Sequence, residues 1–309
     1  MKLYPLKFIP IYFDKIWGGD KIKTYFKRNV RKQNVGESWE IIHNEKYQSI
    51  IENGSLQGKS IIDVFTPEIM GETVSKKFKS FPLIIKYLDA NDDLSVQVHP
   101  SKKAGANETK NEIWYFIDAP SSGKIVAGVN ETIHSGNIIN SLKYLEIQKD
   151  SAVFIPSGAV HALTKNSFVL EIQETLDITY RLYDWDRLNP DGTPRELHFD
   201  TALKHVDNSI NVDELKCKIS SIEKKPGYEI FLIIDCEYFT IKKWVIKETF
   251  KAESLKSSFS ILSLINGKAR ILYSDGEITL SIGENILIPA RLGEYSIKGN
   301  CEIIHTNIT

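Results

Sequence analysis

The sequence predicts a mainly β protein that contains two β-barrels and short helical insertions. From Phe81 onward, short apolar runs rich in β-branched and aromatic residues alternate with turn residues. Segments with the length and caps of helices are few and short. Residues 150–156 and 283–289 both place an apolar strand before a proline, so we expect a duplicated unit.

The predicted elements follow one another along the chain. Apolar runs bounded by polar or turn residues predict strands at 82–88, 94–100, 112–117, 151–156, 239–246, 259–265 and 269–273. Length and capping residues predict helices at 60–65, 132–145 and 200–206. The second helix is expected to break at Ser135 and Gly136, and tight turns are expected at Asn266-Gly267 and Asp275-Gly276. Closely spaced strands and turns near the C-terminus favour a small barrel there.

Length and composition predict the domain organisation and argue against several classes of protein. A chain of 309 residues is long enough for two lobes. A polar stretch with Pro-Gly at 207–227 predicts the linker between domains 1–225 and 226–309. The 39 basic and 40 acidic residues leave a net charge of -1, which argues against a nucleic-acid partner. No apolar run reaches the roughly 18 residues of a membrane span, so we expect a cytoplasmic protein without a membrane partner.

Two neighbouring segments carry side chains of the types that bind metals. Residues 94–100 alternate as a strand, which turns Ser95, Gln97 and His99 to one face. Glu112 opens the next predicted strand, and Lys110 lies on the same face just before it. An amide, an imidazole and a carboxylate are therefore expected in one region.

The most specific local pattern is Pro-Ser-Gly-Ala-Val-His at 156–161, the PxGxxH motif of cupins. Proline and glycine shape a tight turn, and His161 follows on the next strand, aimed inward. The second copy continues after Pro289 without a histidine, so only the first barrel is expected to bind metal. The complete prediction is a mainly β protein of two cupin-type (jelly-roll) β-barrels with short helical insertions, the N-terminal one metal-binding and the C-terminal one metal-free.

Gln97, His99, Glu112 and His161 together offer one amide oxygen, two imidazoles and one carboxylate. This set of nitrogen and oxygen donors suits one divalent ion, with zinc, manganese, iron and cobalt as candidates. Because no thiolate takes part, the site is expected to keep positions open for water or substrate. Such an arrangement is typical of a catalytic metal.

Six ordered motifs extend this pattern over almost the whole chain. They are Ile-Trp-Gly-Gly at 16–19, Gly-Glu-Ser-Trp-Glu at 36–40, Leu-Ser-Val-Gln-Val-His-Pro at 94–100, Lys-Asn-Glu-Ile-Trp-Tyr at 110–115, Pro-Ser-Gly-Ala-Val-His-Ala at 156–162 and Tyr-Arg-Leu-Tyr-Asp-Trp-Asp-Arg at 180–187. In this order they resemble the type I mannose-6-phosphate isomerase family, particularly its short bacterial form.

The resemblance implies an enzyme that interconverts mannose 6-phosphate and fructose 6-phosphate through a cis-enediol. It implies the same four metal ligands, with zinc as the expected ion. It also assigns the active-site arginine to Arg181, which composition alone would make a structural strand end, and the active-site lysine to Lys110. Ser95 and Lys86 are implied on the substrate side. The expected partner is a small sugar phosphate, bound by a monomer or homodimer.

The sequence leaves the proton-transferring base open. The candidates are Lys110, a metal-bound hydroxide and a carboxylate without a sequence signal. Lys86, Lys110 and Arg181 are the expected phosphate holders. Residues 101–109 are shorter and more basic than in the family, so the substrate-side loop is expected to differ in shape. Asp150 stands where cupins commonly place a turn glycine, a position that aspartate tolerates.

Two other functional classes remain open at this level. A non-catalytic sugar-phosphate sensor or binding paralogue would keep the barrel without turnover. A cupin oxygenase, or an isomerase for another aldose phosphate, would share the metal ligands, because those ligands alone do not define a substrate. Turnover of mannose 6-phosphate separates the first alternative from an isomerase, and iron in a metal analysis would indicate an oxygenase.

Overall fold

A computed structural model describes residues 2–130, 133, 136 and 138–309. Its contacts divide the chain into two compact units. Unit 1 comprises Met1–Ile11, Glu40–Leu83 and Lys218–Thr309, and unit 2 comprises Tyr12–Trp39 and Ile84–Cys217. The division into domains 1–225 and 226–309 stays a prediction. Among the described residues, no helix is both long and apolar enough to cross a membrane.

Strands dominate both units, which confirms a mainly β protein. The strands are β1 (Leu6–Lys7), β2 (Ile11–Gly19), β3 (Val35–Ile41), β4 (Leu83–Ala90), β5 (Val96–Val98), β6 (Glu112–Asp118), β7 (Lys124–Val129), β8 (Leu142–Glu146), β9 (Ala152–Ile155), β10 (His161–Ala162), β11 (Ser167–Glu174), β12 (Tyr180–Tyr183), β13 (Ser220–Lys225), β14 (Tyr228–Asp235), β15 (Thr240–Ile246), β16 (Thr249–Glu253), β17 (Ser260–Tyr273), β18 (Gly276–Ser281), β19 (Asn285–Ile288), β20 (Glu294–Lys298) and β21 (Cys301–Asn307). The α-helices are α1 (Lys21–Thr24), α2 (Pro67–Met70), α3 (Glu72–Lys77), α4 (Ile138–Ser141) and α5 (Phe199–His205).

Unit 2 is built mainly from two sheets. One sheet has the order β2-β3-β4-β11-β6-β9, and the other has the order β12-β5-β10-β7-β8. Leu88, Trp114 and Val169 from the first sheet share one buried apolar cluster with Ile125 and Ala127 from the second. The inner faces of the two sheets therefore pack on each other, as in a β-sandwich. Among the described strands of these two sheets, the first and last strands of each order do not pair, so neither sheet closes into a barrel.

Unit 1 contains a sheet in which the long strand β17 pairs with β18, β19, β20 and β21. The predicted turn at Asn266-Gly267 is wrong, because β17 runs continuously through it. The pairing with β21 instead shifts register between Leu264 and Asn266. Gly267 has φ +80°, and a Cβ there would lie 2.1 Å from the Asn300 carbonyl oxygen. Asn-Gly therefore forms a bulge that bends one strand, since glycine permits both the backbone angle and the close approach.

The predicted helices have three different outcomes. The helix at 200–206 is confirmed as α5. At 60–65 only a short 3-10 helix forms, Ile62–Val64. Of the helix predicted at 132–145, Thr132 and Ser135 lie outside the described residues, and α4 is helical. The prediction that the helix continues to Leu145 is wrong, because 142–146 is strand β8. Pairing with β7, in which Ile125 lies opposite Leu145, overrides the local helical pattern.

The two proline-terminated segments form matching local structures. Strand β9 begins two residues after Asp150, and β19 begins two residues after Gly283. Asp150 has φ +66° and Gly283 has φ +82°. Asp150 therefore adopts the left-handed backbone of the turn glycine, as predicted, and its carboxylate accepts a 2.6 Å hydrogen bond from the Tyr115 hydroxyl.

A histidine lies in the apolar interior of unit 1. His305 is 5% exposed, its Nε2 lies 3.0 Å from Ser260 Oγ, and its ring stacks on Trp244 at 4.3 Å between centroids. Burial, together with the positive charge of Lys242, lowers the pKa of His305 to about 3. The folded protein therefore holds this imidazole neutral at pH values where an unfolded chain protonates it.

We expect acid to destabilise the protein through His305. Below the unfolded-state pKa of about 6.5, His305 is protonated in the unfolded chain but stays neutral in the folded one. The free energy of unfolding therefore falls by about 1.4 kcal/mol for each unit by which the pH is lowered. The effect continues down to the folded pKa of about 3. Urea titrations at several pH values should give a smaller pH slope for His305→Phe, which keeps a ring on Trp244. Equal slopes for variant and wild type would contradict this prediction.

Candidate metal centre and adjoining cavity

Gln97 occupies the centre of the site. In the sheet of unit 2, Gln97 on β5 lies directly opposite His161 on β10 and opposite Arg181 on β12. Residues opposite each other in antiparallel strands project to the same face. The pairing thus brings together three predicted site residues that are up to 84 positions apart in the sequence (181 minus 97).

His99, Glu112 and His161 form a buried cluster. Their candidate ligand atoms all lie within 4.8 Å of one another. His99 Nε2 lies 3.1 Å from Glu112 Oε2, and His161 Nε2 lies 3.6 Å from Glu112 Oε1. Both histidines are fully buried, and Glu112 is 1% exposed. Three of the four predicted ligands therefore converge on one small space.

Backbone carbonyls orient both imidazoles. His99 Nδ1 lies 3.0 Å from the Ile178 carbonyl oxygen, and His161 Nδ1 lies 2.9 Å from the Ala159 carbonyl oxygen. A carbonyl only accepts, so each Nδ1 carries the proton and donates it. Each Nε2 is then left with a lone pair directed at the cluster, which is the usual arrangement of a metal-ligating histidine.

Gln97 completes the set of donors. Its amide group lies 3.2 Å from His161 Nε2, while its other end accepts a 3.3 Å hydrogen bond from Ser95 Oγ. Rotation of the amide by 180° exchanges nitrogen and oxygen without moving any other atom. The rotated amide presents its oxygen to the cluster, and Ser95 then accepts from the amide nitrogen. Ser95 thus contacts Gln97, which ties a predicted substrate-side residue to a predicted ligand.

Burial and charge set the protonation of the cluster. Burial lowers the pKa of His161 to about 3, and burial with the nearby charge of Lys110 lowers the pKa of His99. Burial raises the pKa of Glu112, but Lys110, His99 and His161 together outweigh it and hold that pKa well below its usual range. Two neutral imidazoles and an ionised carboxylate result, which are the forms that bind a metal.

The polar atoms of this cluster fit a divalent cation. Among the described residues, His99 Nε2 and Glu112 Oε1 are buried without a hydrogen-bond partner, and Glu112 Oε2 is contacted by the Lys110 ammonium. Such atoms are costly unless something binds them. An amide oxygen, two imidazoles and a carboxylate are ligands suited to zinc and its neighbours in the transition series.

Lys110 and Lys86 are both buried beside the cluster and paired with carboxylates. Lys110 Nζ lies 2.8 Å from Glu112 Oε2. Lys86 Nζ lies 3.3 Å from Glu171 Oε1 and 3.5 Å from Asp177 Oδ1. Burial lowers the pKa of Lys86, but Glu171 and Asp177 raise it above its usual value, so the ammonium stays charged. These two carboxylates neutralise much of the positive charge of Lys86, so little of it remains to attract a phosphate group.

A cavity of about 290 Å³ adjoins the cluster, and all of its lining belongs to unit 2. The lining side chains are Lys15, Trp17, Glu37, Trp39, Lys86, Leu88, Leu94, Ser95, Gln97, Lys110, Glu171, Asp177, Thr179, Arg181 and Arg195. Every predicted catalytic and substrate-side residue is on this wall. The volume is at the lower end of the range typical of small-molecule sites.

Arg181 is the least neutralised cation of the predicted set. In the part of the chain that the structure describes, it has no ion-pair partner, and its buried Nε has no hydrogen-bond partner. Its Nη1 reaches only the Glu196 carbonyl oxygen, at 3.5 Å. Burial and the neighbouring charge of Arg195 lower its pKa. Its guanidinium is therefore available to an anionic group in the cavity.

Five ionisable residues of the cavity had no role in the sequence prediction: Lys15, Glu37, Glu171, Asp177 and Arg195. Glu171 accepts a 2.8 Å hydrogen bond from Trp114 Nε1 and faces Lys86. The sequence contains a signal for Glu171, because an acidic residue within the apolar run of β11 is unusual in a buried strand. Asp177 and Arg195 lie in irregular segments and have no periodic pattern that would single them out.

The basic loop at 101–109 lies apart from the cavity lining. The Ser101 backbone N–H donates to His205 Nδ1, and the Ser101 hydroxyl donates to the His205 carbonyl oxygen. Both bonds fix the start of the loop to α5. The shortened loop therefore packs on a helix and leaves the wall of the cavity to other segments.

Two family models match the chain. The model for the catalytic domain of type I phosphomannose isomerase matches residues 6–132. The model for the cupin domain of mannose-6-phosphate isomerase matches residues 228–308. Each end of the chain is thus similar to a different part of the same kind of protein.

Curated relatives and solved structures agree with these models over the full length. The putative mannose-6-phosphate isomerase YvyI of Bacillus subtilis is 34% identical and covers 98% of this chain and 99% of its own. Mannose-6-phosphate isomerase ManA of the same organism is 29% identical, with 100% of both chains covered. The crystal structure of mannose 6-phosphate isomerase from Bacillus subtilis has 32% identity and a TM-score of 0.88, covering 99% of this chain and 100% of that one. Similarity of this extent makes the chain a member of the type I mannose-6-phosphate isomerase family, as its motifs predicted.

Proposed function

We propose that the chain interconverts mannose 6-phosphate and fructose 6-phosphate in this cavity, with one divalent metal held by Gln97, His99, Glu112 and His161. The observation that carries the proposal is the cluster itself, in which two oriented imidazoles and a buried carboxylate adjoin a cavity lined with cations. The names of the relatives support the choice of substrate. Zinc is the proposed metal because membership of the family implies it, and the nitrogen and oxygen donors are compatible with it.

The reaction moves a proton between C1 and C2 of the sugar through a cis-enediol. Negative charge then develops on a sugar oxygen, and a bound divalent ion supplies Lewis-acid stabilisation of that charge. Arg181 supports the same charge, because it lines the cavity from the position opposite Gln97 and has no carboxylate partner among the described residues. Lys110 is held by Glu112 and adds a fixed positive charge at the floor of the cavity.

Arg195, which lines the same cavity, is the better candidate to hold the phosphate. Lys86 and Lys110, which the sequence suggested, are each paired with buried carboxylates. A guanidinium also matches phosphate oxygens with two parallel hydrogen bonds, which an ammonium does not. Lys86 then serves mainly to hold Glu171 and Asp177 in place, and Ser95 to orient Gln97.

The proton-transferring base that the sequence left open is proposed to be Asp177. Both Glu171 oxygens are engaged, one by Trp114 and the other by Lys86. Asp177 has a single long contact with Lys86 at 3.5 Å, and its side chain is 39% exposed. It therefore keeps an oxygen free to accept a proton and to exchange it with water.

Asp177→Asn should lower kcat by about 10²-fold, at the lower end for a general base because water can reach this position. Steady-state kinetics with mannose 6-phosphate checks the loss, and washing out of deuterium from C2-labelled substrate should slow in parallel. Asp186→Asn is a matched control, since Asp186 is exposed and outside the cavity. Unchanged exchange in Asp177→Asn would assign the base to another group.

The function is tested by a coupled assay that measures fructose 6-phosphate formed from mannose 6-phosphate. A chelator should abolish the activity, and one equivalent of zinc should restore it. Binding of mannose 6-phosphate without turnover in the metal-loaded protein would favour a sugar-phosphate sensor. A stoichiometric content of iron would instead reopen the oxygenase alternative.

The two-barrel architecture is part of the same proposal. Residues 1–225 are proposed to carry the chemistry on a cupin-type barrel, and residues 226–309 to form a second, metal-free one. Support comes from the cupin-domain model that matches 228–308 and from the matching turns at Asp150 and Gly283.

A further inference from the structure

A hairpin follows β12 and returns to the cavity. It starts with a tight turn in which the Arg187 N–H donates to the Asp184 carbonyl oxygen at 3.1 Å. Trp185 and Asp186 both have positive φ, 60° and 52°, as a type I′ turn requires. Leu188 and Pro194 then form a bridge across the hairpin. This path brings Arg195 back beside Asp184.

Asp184 is buried at the base of the hairpin between two arginines. It is 4% exposed. Arg195 Nε donates to its Oδ2 at 2.6 Å, and Arg195 Nη2 donates to its Oδ1. Arg187 Nη2 donates to the same Oδ1 at 2.7 Å. Two guanidinium groups therefore share one carboxylate.

Only one edge of the Arg195 guanidinium is used by this grip. Nε and Nη2 form the edge that faces Asp184, so the two N–H groups of Nη1 and the second N–H of Nη2 stay on the other side. Arg195 lines the cavity, whereas Asp184 and Arg187 do not. The bidentate grip removes rotation of the guanidinium that a single contact would allow.

Arg187 is itself anchored to the body of unit 2. Its Nη1 donates to the Asp93 carbonyl oxygen at 2.7 Å and lies 3.3 Å from Asp92 Oδ2. Trp185 Nε1 donates to the Leu94 carbonyl oxygen at 2.7 Å, next to Ser95 on the cavity wall. The turn that carries Asp184 is thus fixed to the segment that leads into β5.

We propose that Asp184 is a positioning residue, which holds Arg195 so that its free edge faces a phosphate group in the cavity. This inference rests on the proposed function for the identity of the anion. Asp184 acts through Arg195 and does not itself contact the substrate. The strained turn and the anchor at Arg187 keep the carboxylate in the one place from which it can grip the arginine.

The proposal predicts an effect opposite to simple electrostatics. Loss of a negative charge near an anion site should strengthen anion binding if only charge matters. If Asp184 positions Arg195, its loss weakens binding, because the guanidinium then samples other orientations. Asp184→Asn keeps the size of the side chain and removes the charge, so the sign of the change separates the two explanations.

The test measures binding of inorganic phosphate by calorimetry to the metal-loaded protein, together with kinetics on mannose 6-phosphate. Asp184→Asn should bind phosphate about 10-fold more weakly, the scale of a lost charge-assisted contact. KM for mannose 6-phosphate should rise by a similar factor with kcat nearly unchanged, because the phosphate contact is equal in ground and transition states. Asp186→Asn, which removes an exposed carboxylate of the same turn, should match wild type in both. Equal or tighter phosphate binding in Asp184→Asn overturns the proposal.

Arg195→Lys decides the matter if Asp184→Asn does not fold. It keeps the positive charge and loses the bidentate grip, so phosphate binding should again weaken about 10-fold. Wild-type affinity in Arg195→Lys overturns the positioning role. Because phosphate binding is read without turnover, a wild-type protein that binds phosphate but does not isomerise mannose 6-phosphate would refute the proposed function and leave the role of Asp184 standing.

Discussion

His161→Ala is expected to lose the metal and to lower kcat/KM by at least about 10³-fold, since Lewis-acid stabilisation is worth several kcal/mol. His161 reaches the cluster through Nε2, and the Ala159 carbonyl holds its ring in place. Without this imidazole, the remaining donors are His99, Glu112 and the weaker amide of Gln97. Metal analysis after gel filtration, paired with the coupled assay, checks both parts of the prediction.

A control separates loss of the metal from loss of the fold. His43 lies in unit 1, outside the cluster, so His43→Ala should keep the metal and the activity. The melting temperature of metal-free wild type gives the reference for His161→Ala, because bound metal stabilises a folded protein by mass action. A His161→Ala protein that retains one tightly bound ion would remove this histidine from the ligand set.

Arg181→Ala should keep the metal and lower kcat by about 10²- to 10³-fold, the scale of losing one donor to a developing oxyanion. Arg181 is half-buried and lies opposite Gln97 in the sheet, and in the described part of the chain it has no carboxylate partner, so its removal leaves no buried acid unpaired. The loss should therefore appear in kinetics and not in stability. Metal content, melting temperature and kcat measured on one preparation make the comparison.

A second arginine variant tests whether this effect is specific. Arg270 is exposed in unit 1, and its Nη1 lies 3.6 Å from Glu277 Oε2. Arg270→Ala should therefore keep wild-type kcat. Arg181→Lys should recover only part of the rate, because an ammonium lacks the planar fork of donors. Loss of metal in Arg181→Ala would show that this arginine supports the ligands, in place of acting on the substrate.

The alternative of a binding protein makes a different set of expectations. A sensor needs a cavity and a phosphate contact, but it does not need an ionised carboxylate that faces two imidazoles, each oriented by a backbone carbonyl with its Nε2 towards the cluster. Keeping such groups buried costs stability unless a metal binds them. The donor set therefore favours a metal enzyme over a sensor that binds no metal.

The sequence by itself determined which side chains could meet. Alternation along residues 94–100 places Ser95, Gln97 and His99 on one face, and the PxGxxH turn directs His161 inward. These are local consequences of backbone geometry, so one sequence is enough to read them. The structure agrees, with Gln97 opposite His161 and with Gly158 at φ +92°. The mainly β class follows from the same short-range patterns.

Only the tertiary structure decided which groups neutralise each other and where the chain bends. Lys86 is paired with Glu171 and Asp177, which lie 85 and 91 positions away (171 minus 86, 177 minus 86). No local pattern could therefore reveal that these carboxylates neutralise its charge. Residues 142–145 form a strand because β7 offers hydrogen bonds to them, and Asn266-Gly267 forms a bulge because β21 continues past it. Asp184 grips Arg195 only after a hairpin has turned the chain back. Pairing energy between distant segments outweighs local preference in each case, and a single sequence does not record which distant segments meet.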